Sequence, residues 1–190
     1  QRAQYDELDK YPVMPPHAFA RIVRDKRTLN IIYQIIEPPM TKKEQEQREE
    51  IMDIFIRSLT ANIEEIDGNP EAYLRTAMDK VIKSYGMKIT KKSKSKLFYY
   101  IRRDLIGYGQ MDVLMNDANV EDISLDGTGV PIFAYHRKFE SVETVWNTDE
   151  ALESYVIKLA QRCGKHISVA DPLLDATLMD GSRIVMKLGR

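Results

Sequence analysis

Apolar positions along this chain follow two different periods, and the change from one to the other divides it. From Thr41 onward, Ile51, Ile54, Phe55, Leu59, Ile63 and Ile66 recur every three or four residues. That spacing predicts one apolar face of a helix, which Asp67-Gly68 closes. Thr41 with Glu44 three residues later is a capping-box pattern, in which each side chain satisfies the other's backbone N–H. Asn69-Pro70 predicts a restart, with Asn as N-cap and Pro as first helical residue. Tyr73, Leu74, Ala77, Val81 and Tyr85 form the second stripe, and Gly86 suits the position after its end. Beyond the basic segment KITKKSKSK, a third stripe of Leu97, Tyr100, Ile101 and Leu105 stops at Gly107-Tyr108-Gly109.

After residue 110 the period shortens. VEDISLDG, GVPIFAYHRKF and SVETVW read as strands joined by turns, with Gly127 and Gly129 as punctuation. One helix interrupts them. Asn147 with Glu150 repeats the capping pattern, and Leu152, Tyr155, Val156, Leu159 and Cys163 form its stripe, ended by Gly164. HISVAD, LDATLM and RIVMKL return to strand texture around a hairpin signal at Asp180-Gly181. Residues 1–40 follow neither period clearly. YPVMPPHAF is Pro-rich and reads as irregular or extended, and NIIYQII as a strand or a packed arm. The expected fold is therefore α+β: a helical domain over residues 1–90, then an α/β domain with an antiparallel sheet over residues 91–190.

Composition changes this picture little. The 190 residues are 43% hydrophobic and 30% charged, ordinary for folded domains. Net charge is −1, but residues 1–110 carry 20 Lys/Arg against 16 Asp/Glu, and the remainder carries 8 against 13. This asymmetry supports two units and argues against a dedicated nucleic-acid binder. The single cysteine, Cys163, forms no internal disulfide, and Cys/His zinc spacing is absent. No apolar stretch is long enough to predict a membrane span or a signal peptide. The chain starts at Gln1 and stops in a strand-like run at Arg190, and we read it as a piece of a longer protein.

Most candidate chemistry has a plainer explanation. A phosphate-binding loop needs G-x-x-x-x-G-K-[ST]; here Leu159 stands at the first glycine, and His166 follows Gly164-Lys165. Gly127 and Gly129 do not extend to G-x-G-x-x-G, because Ile132 takes the last position. Cys163 beside His166 reads as a packed thiol. Lys88, Lys91, Lys92, Lys94 and Lys96 could meet phosphate or anionic lipid, but such a run is more often a solvated linker. Tyr99 and Tyr100 suit a helix core better than base stacking. Asp122, Asp126 and Asp180 sit at strand ends and turns, where Asp is favoured for backbone reasons. Arg137, Arg162 and Arg183 remain. Each alone reads as a surface charge, yet from the rim of one domain they could reach an anion held by another.

Two runs, YGQMDVLMNDANVEDISLDGTGVPIFAYHRKF and KLAQRCGKHISVADPLLDATLMDGSRIVMKLG, resemble the secretion-superfamily ATPases. These are the motors of type II and type IV secretion, type IV pili and the archaeal flagellum, and the archaeal branch is the nearest in pattern. The shared features are a G-Y-G-x-[IM]-D-x-L-M entry, an E-D-I-S strand, an H-R-K-[FY] turn, an L-A-x-R-x-G-K-x-I-S run and a D-G-S-R turn. They span about residues 95–190. The resemblance implies that residues 91–190 are a PAS-like domain, preceded by a helical module that contacts a membrane platform protein and followed by a RecA-like motor domain. It implies a homohexameric parent that uses ATP and Mg2+, cytoplasmic and peripheral at the inner face of the membrane, with no nucleic-acid partner. This region, without Walker motifs, would not hydrolyse ATP alone. Arg183, and after it Arg137 and Arg162, would contact nucleotide phosphates held by the motor domain. Ala176 departs from the family pattern, in which glycine is frequent. The competing expectation is a freestanding PAS-like sensor or adaptor without ATPase activity.

Overall fold

The computed structural model describes residues 4–58, 69–124, 131–144, 156, 159–160, 163–168, 170–177 and 183–187. It is a mixed α/β protein. The strands are β1 (Tyr5–Met14), β2 (Ala18–Asp25), β3 (Ile31–Ile36), β4 (Val120–Ser124), β5 (Ile132–His136), β6 (Glu140–Thr144), β7 (Leu173–Thr177) and β8 (Arg183–Lys187). The helices are α1 (Lys42–Ser58), α2 (Pro70–Ser84), α3 (Lys91–Leu105) and the short α4 (Asp112–Met115). No helix among the described residues is long and apolar enough to cross a membrane.

The chain forms two units, neither continuous in sequence. One holds residues 1–13, 19–36 and 116–190; the other holds residues 14–18 and 37–115. The sequence pattern suggested a single boundary near residue 90 and a helical lead over residues 1–90. Instead, residues 5–36 are three strands, and α3 packs with α1 and α2. The reason lies in weak local signals. AFARIVRD alternates buried Ala18, Ala20 and Ile22 with less buried Phe19 and Arg21, but Val23 is fully buried too and breaks the alternation. Alanine and arginine are poor strand formers, so the alternation is muted. NIIYQII is β3, the strand alternative of the two. In YPVMPPHAF, β1 runs through Met14, and a cis Pro15–Pro16 bond lies in the turn to β2.

The strand unit carries a six-stranded, mostly antiparallel sheet in the order β1-β2-β3-β6-β5-β4. Its one parallel pairing joins β3 to β6, with Ile32 opposite Glu143 and Tyr33 opposite Thr144. Ile132, Ala134 and His136 of β5 and Val142 and Thr144 of β6 point inward, the period-2 pattern of a half-buried sheet. Both edge strands are charged, which discourages edge-to-edge pairing. On β1, Asp6, Glu7 and Asp9 pair with Lys26, Arg21 and Lys138 at 3.0, 2.6 and 3.0 Å. On β4, a register shift between Val120 and Asp122 falls at Glu121. β7 and β8 form a separate antiparallel hairpin.

The helical unit has the caps that the sequence predicts and much of the stripes, but Tyr73 and Tyr85 are exposed, Met78 and Phe98 join the core, and Leu59, Ile63 and Ile66 lie outside the described residues. Glu44 accepts from the Thr41 N–H at 2.8 Å while Thr41 accepts from the Glu44 N–H at 3.3 Å. Lys96 adds a bond at 2.8 Å and, with the Thr41 N–H, holds the Glu44 carboxyl down at about 2. Asn69 caps α2 through the Ala72 N–H at 3.0 Å. At its other end Gly86, with φ +62, lets Met87 N–H reach Ile82 O and its own N–H reach Lys83 O. Thr90 caps α3 through the Ser93 N–H. Ile51, Phe55, Leu74, Met78, Leu97, Phe98 and Ile101 make the core between the three helices.

Candidate functional site

The three arginines singled out from sequence have different settings. Arg137 follows β5 in the tight connection to β6, with its backbone N–H on Asn119 O at 2.9 Å. Its guanidinium meets Glu121 of β4 at 2.9 Å, and both side chains are largely exposed. Arg183 opens β8, in register with Thr177. Opposite residues of an antiparallel pair share a face. Position 183 therefore stands in the row of Thr177, Asp175 and Val185, all exposed, while the intervening row holds buried Leu174 and Ala176. Arg137 and Arg183 stand on different sheets, and Arg162 lies outside the described residues.

The H-R-K-F turn anchors something the sequence did not announce. His136 is buried at the end of β5. Its Nδ1 accepts from the Lys138 N–H at 3.1 Å, so the ring proton sits on Nε2, 2.9 Å from the Tyr11 hydroxyl. Tyr11 in turn donates to Asp117 Oδ2 at 2.6 Å, and Tyr33 donates to the same oxygen at 2.7 Å. Asp117 Oδ1 accepts from the Asn119 N–H at 2.9 Å. The network ties β1, β3 and β5 to the segment before β4. Burial lowers the His136 pKa, and burial followed by the bond to Asp117 raises both tyrosines. Because each of these ring and hydroxyl bonds is made inside the protein, the arrangement is a clamp rather than an acid–base centre. The sequence signal was the inward parity of His136 with Ile132 and Ala134; Tyr11, Tyr33 and Asp117 had none.

The Gly-Tyr-Gly entry has an equally physical meaning. Asp112 is 1% exposed and lies against Gly107, and burial raises its pKa. It accepts from the Tyr108 N–H at 2.9 Å and from Arg102 at 2.6 Å. Gly109 adopts φ +57. The motif thus folds the end of α3 over a buried carboxylate.

The remaining sequence candidates fall to structural roles. Tyr99 and Tyr100 are buried, their hydroxyls on Glu37 at 2.6 Å and Pro38 O at 2.8 Å. Arg103 grips Glu37 through two bonds of 2.8 Å. Lys88 lies in the connection from α2, but Lys91, Lys92, Lys94 and Lys96 are the first turns of α3 and not a linker: Lys94 pairs with Asp79 at 2.5 Å and Lys96 with Glu44. Asp122 is exposed and bonds the Ile123 N–H; Asp126 and Asp180 lie outside the described residues. Cys163 is a partly buried thiol in no disulfide. Among the described residues no group of His, Cys, Asp and Glu is arranged to hold a metal.

The helical unit does contain an open cleft of about 360 Å³. The β1–β2 turn forms one wall with Pro15, Pro16 and His17; α2 contributes Glu71 and Arg75, and α3 contributes Ser95, Phe98, Tyr99 and Arg102. His17 and Ser95 are 3.1 Å apart, and burial lowers the His17 pKa.

No family model matches the chain. It is similar to proteins of Methanocaldococcus jannaschii that are themselves named as uncharacterized. With MJ1288 it shares 40% identity over 161 residues, 83% of this chain and 64% of that protein. With MJ0900 it shares 30% identity over 181 residues, 92% of this chain and 32% of that protein. With MJ0781 it shares 34% identity over 94 residues, 48% of this chain and 12% of that protein. The chain thus spans 64% of the length of the first of these archaeal relatives and about a third of the second.

Proposed function

We propose that this chain is the amino-terminal region of a secretion-superfamily ATPase, coupling nucleotide events in a motor domain to a membrane platform protein. The observation that carries the reading is the ordered series of motifs from Tyr108 to Gly189. Two further observations agree with it. Nearly all of the chain aligns within MJ0900, where it accounts for 32% of a longer protein. Arg183, the last residue of the D-G-S-R motif, opens β8 opposite Thr177 in the register. In this reading the strand unit is the PAS-like domain and the helical unit is the module that meets the platform.

ATP and Mg2+ would be held by the motor domain, in a homohexamer. The glycine-lysine pair here does not make a P-loop: Gly164-Lys165 lacks the preceding glycine and the following hydroxyl residue. What this chain would supply is charge. A guanidinium fork neutralises phosphate oxygens and distinguishes a triphosphate from a diphosphate. Arg183 is the first such donor, with Arg137 and Arg162 behind it; Arg137 is already engaged by Glu121.

The test is Arg183→Ala in the full-length protein. ATP turnover should fall ~10³-fold while the strand unit stays folded, as expected for loss of an arginine finger. Unchanged turnover removes Arg183 from the site. A full-length protein without a nucleotide-binding domain removes the ATPase reading altogether.

A further inference from the structure

We propose that the cleft of the helical unit binds a small organic phosphate, and that Glu71 occupies the phosphate position when the ligand is absent. This rests on the geometry of α2, α3 and the β1–β2 turn alone and is independent of the ATPase reading.

Two guanidiniums converge on Glu71. Arg75 approaches Glu71 Oε1 at 3.4 Å, and Arg102 approaches Oε2 at 3.9 Å. Both are longer than a good charge-assisted bond, which falls near 2.7–2.9 Å. One planar carboxylate, tethered to the first turn of α2, spans the gap between the two cations with one long hydrogen bond to Arg75 and only an ion-pair distance to Arg102. A tetrahedral anion with three free oxygens can serve both forks at once. The cations are also pre-set for such a guest. Arg102 is anchored from behind by buried Asp112 at 2.6 Å. Arg75 is held over Phe98, its Cζ 3.9 Å from the ring centroid.

The rest of the cleft sets the ligand's body. Ser95 and His17 offer a hydroxyl and an imidazole, while Pro15, Pro16, Phe98 and Tyr99 supply flat apolar walls. A volume of about 360 Å³ exceeds what inorganic phosphate needs and suits a phosphate ester with an aromatic or apolar group. Glu71 and Arg75 are about half exposed, so the carboxylate can swing out without unfolding the helix.

The experiment titrates the 190-residue protein with phenyl phosphate, inorganic phosphate and phenol at constant ionic strength, read by NMR shifts. Phenyl phosphate should give saturable shifts at Ser95, Phe98 and the Arg75 side chain, bind more tightly than inorganic phosphate, and leave phenol without effect. Arg75→Gln should weaken binding about tenfold, and Glu71→Gln should tighten it about tenfold by removing the internal competitor. Both substitutions are at exposed positions, and helical circular dichroism confirms their folding. The gain in Glu71→Gln is the decisive reading, because a merely structural Glu71 would not produce it. Absence of saturable shifts in both wild type and Glu71→Gln overturns the proposal. So do unchanged affinity in Glu71→Gln, or shifts that map to Lys88, Lys91 and Lys92 instead of the cleft.

Discussion

Replacing Gly107 by alanine tests the structural meaning of the Gly-Tyr-Gly motif. A Cβ at this position would lie 2.6 Å from Asp112 Cγ and 2.8 Å from Oδ2, with Oδ1 closer still. Real Cβ atoms do not approach non-bonded atoms below 3.0 Å. Relief requires Asp112 to move, yet its carboxylate is buried and held by Tyr108 N–H and Arg102. Overpacking costs about 1–3 kcal/mol. Weakening a hydrogen bond to a charged group costs about 1.5–3 kcal/mol more. The expected loss is about 3 kcal/mol, or a fall in Tm of about 6–12 °C for a chain of this size. Thermal and urea unfolding followed at 222 nm measure it. Gly86→Ala is the control: it has positive φ but nothing within 4 Å, so backbone strain alone should cost about 1 kcal/mol. On an Asp112→Ala background, Gly107→Ala should cost little, since the obstructing carboxylate is gone. If Gly107→Ala is no worse than Gly86→Ala, or if its cost persists without Asp112, the steric argument is wrong.

Two further outcomes follow from the buried clamp of the strand unit. His136 is held neutral by burial, below its unfolded value of about 6.5. Its stabilising contribution is therefore complete above pH 6.5 and declines as pH falls toward the lowered folded pKa, at up to about 1.4 kcal/mol per pH unit. Urea midpoints between pH 7.5 and 5 should show this slope in wild type and a shallower one in His136→Gln; equal slopes would exclude His136 as its source. Tyr33→Phe removes one of two hydroxyls on Asp117 Oδ2 and should destabilise by about 1–3 kcal/mol. A change within 0.5 kcal/mol would mean that Asp117 finds another donor.

The sequence by itself determined the elements whose causes are local. Thr41 with Glu44, Asn69-Pro70 and Gly86 mark helix ends because capping is settled within a few residues, and the apolar stripes name the core of α1, α2 and α3. The β7–β8 hairpin was equally legible around Asp180-Gly181, and with it the position of Arg183. Tertiary structure decided what lies far apart in the chain. The Ile-rich run marks β3 as a strand but not that β6, more than a hundred residues later, pairs with it. Nor does any local pattern place Tyr11, Tyr33, Asp117 and His136 on one hydrogen-bonded network, or bring Arg102 of α3 to the Glu71–Arg75 pair of α2. Those arrangements depend on which surfaces meet once the chain is closed, and a side chain's charge or hydroxyl carries no record of its eventual partner.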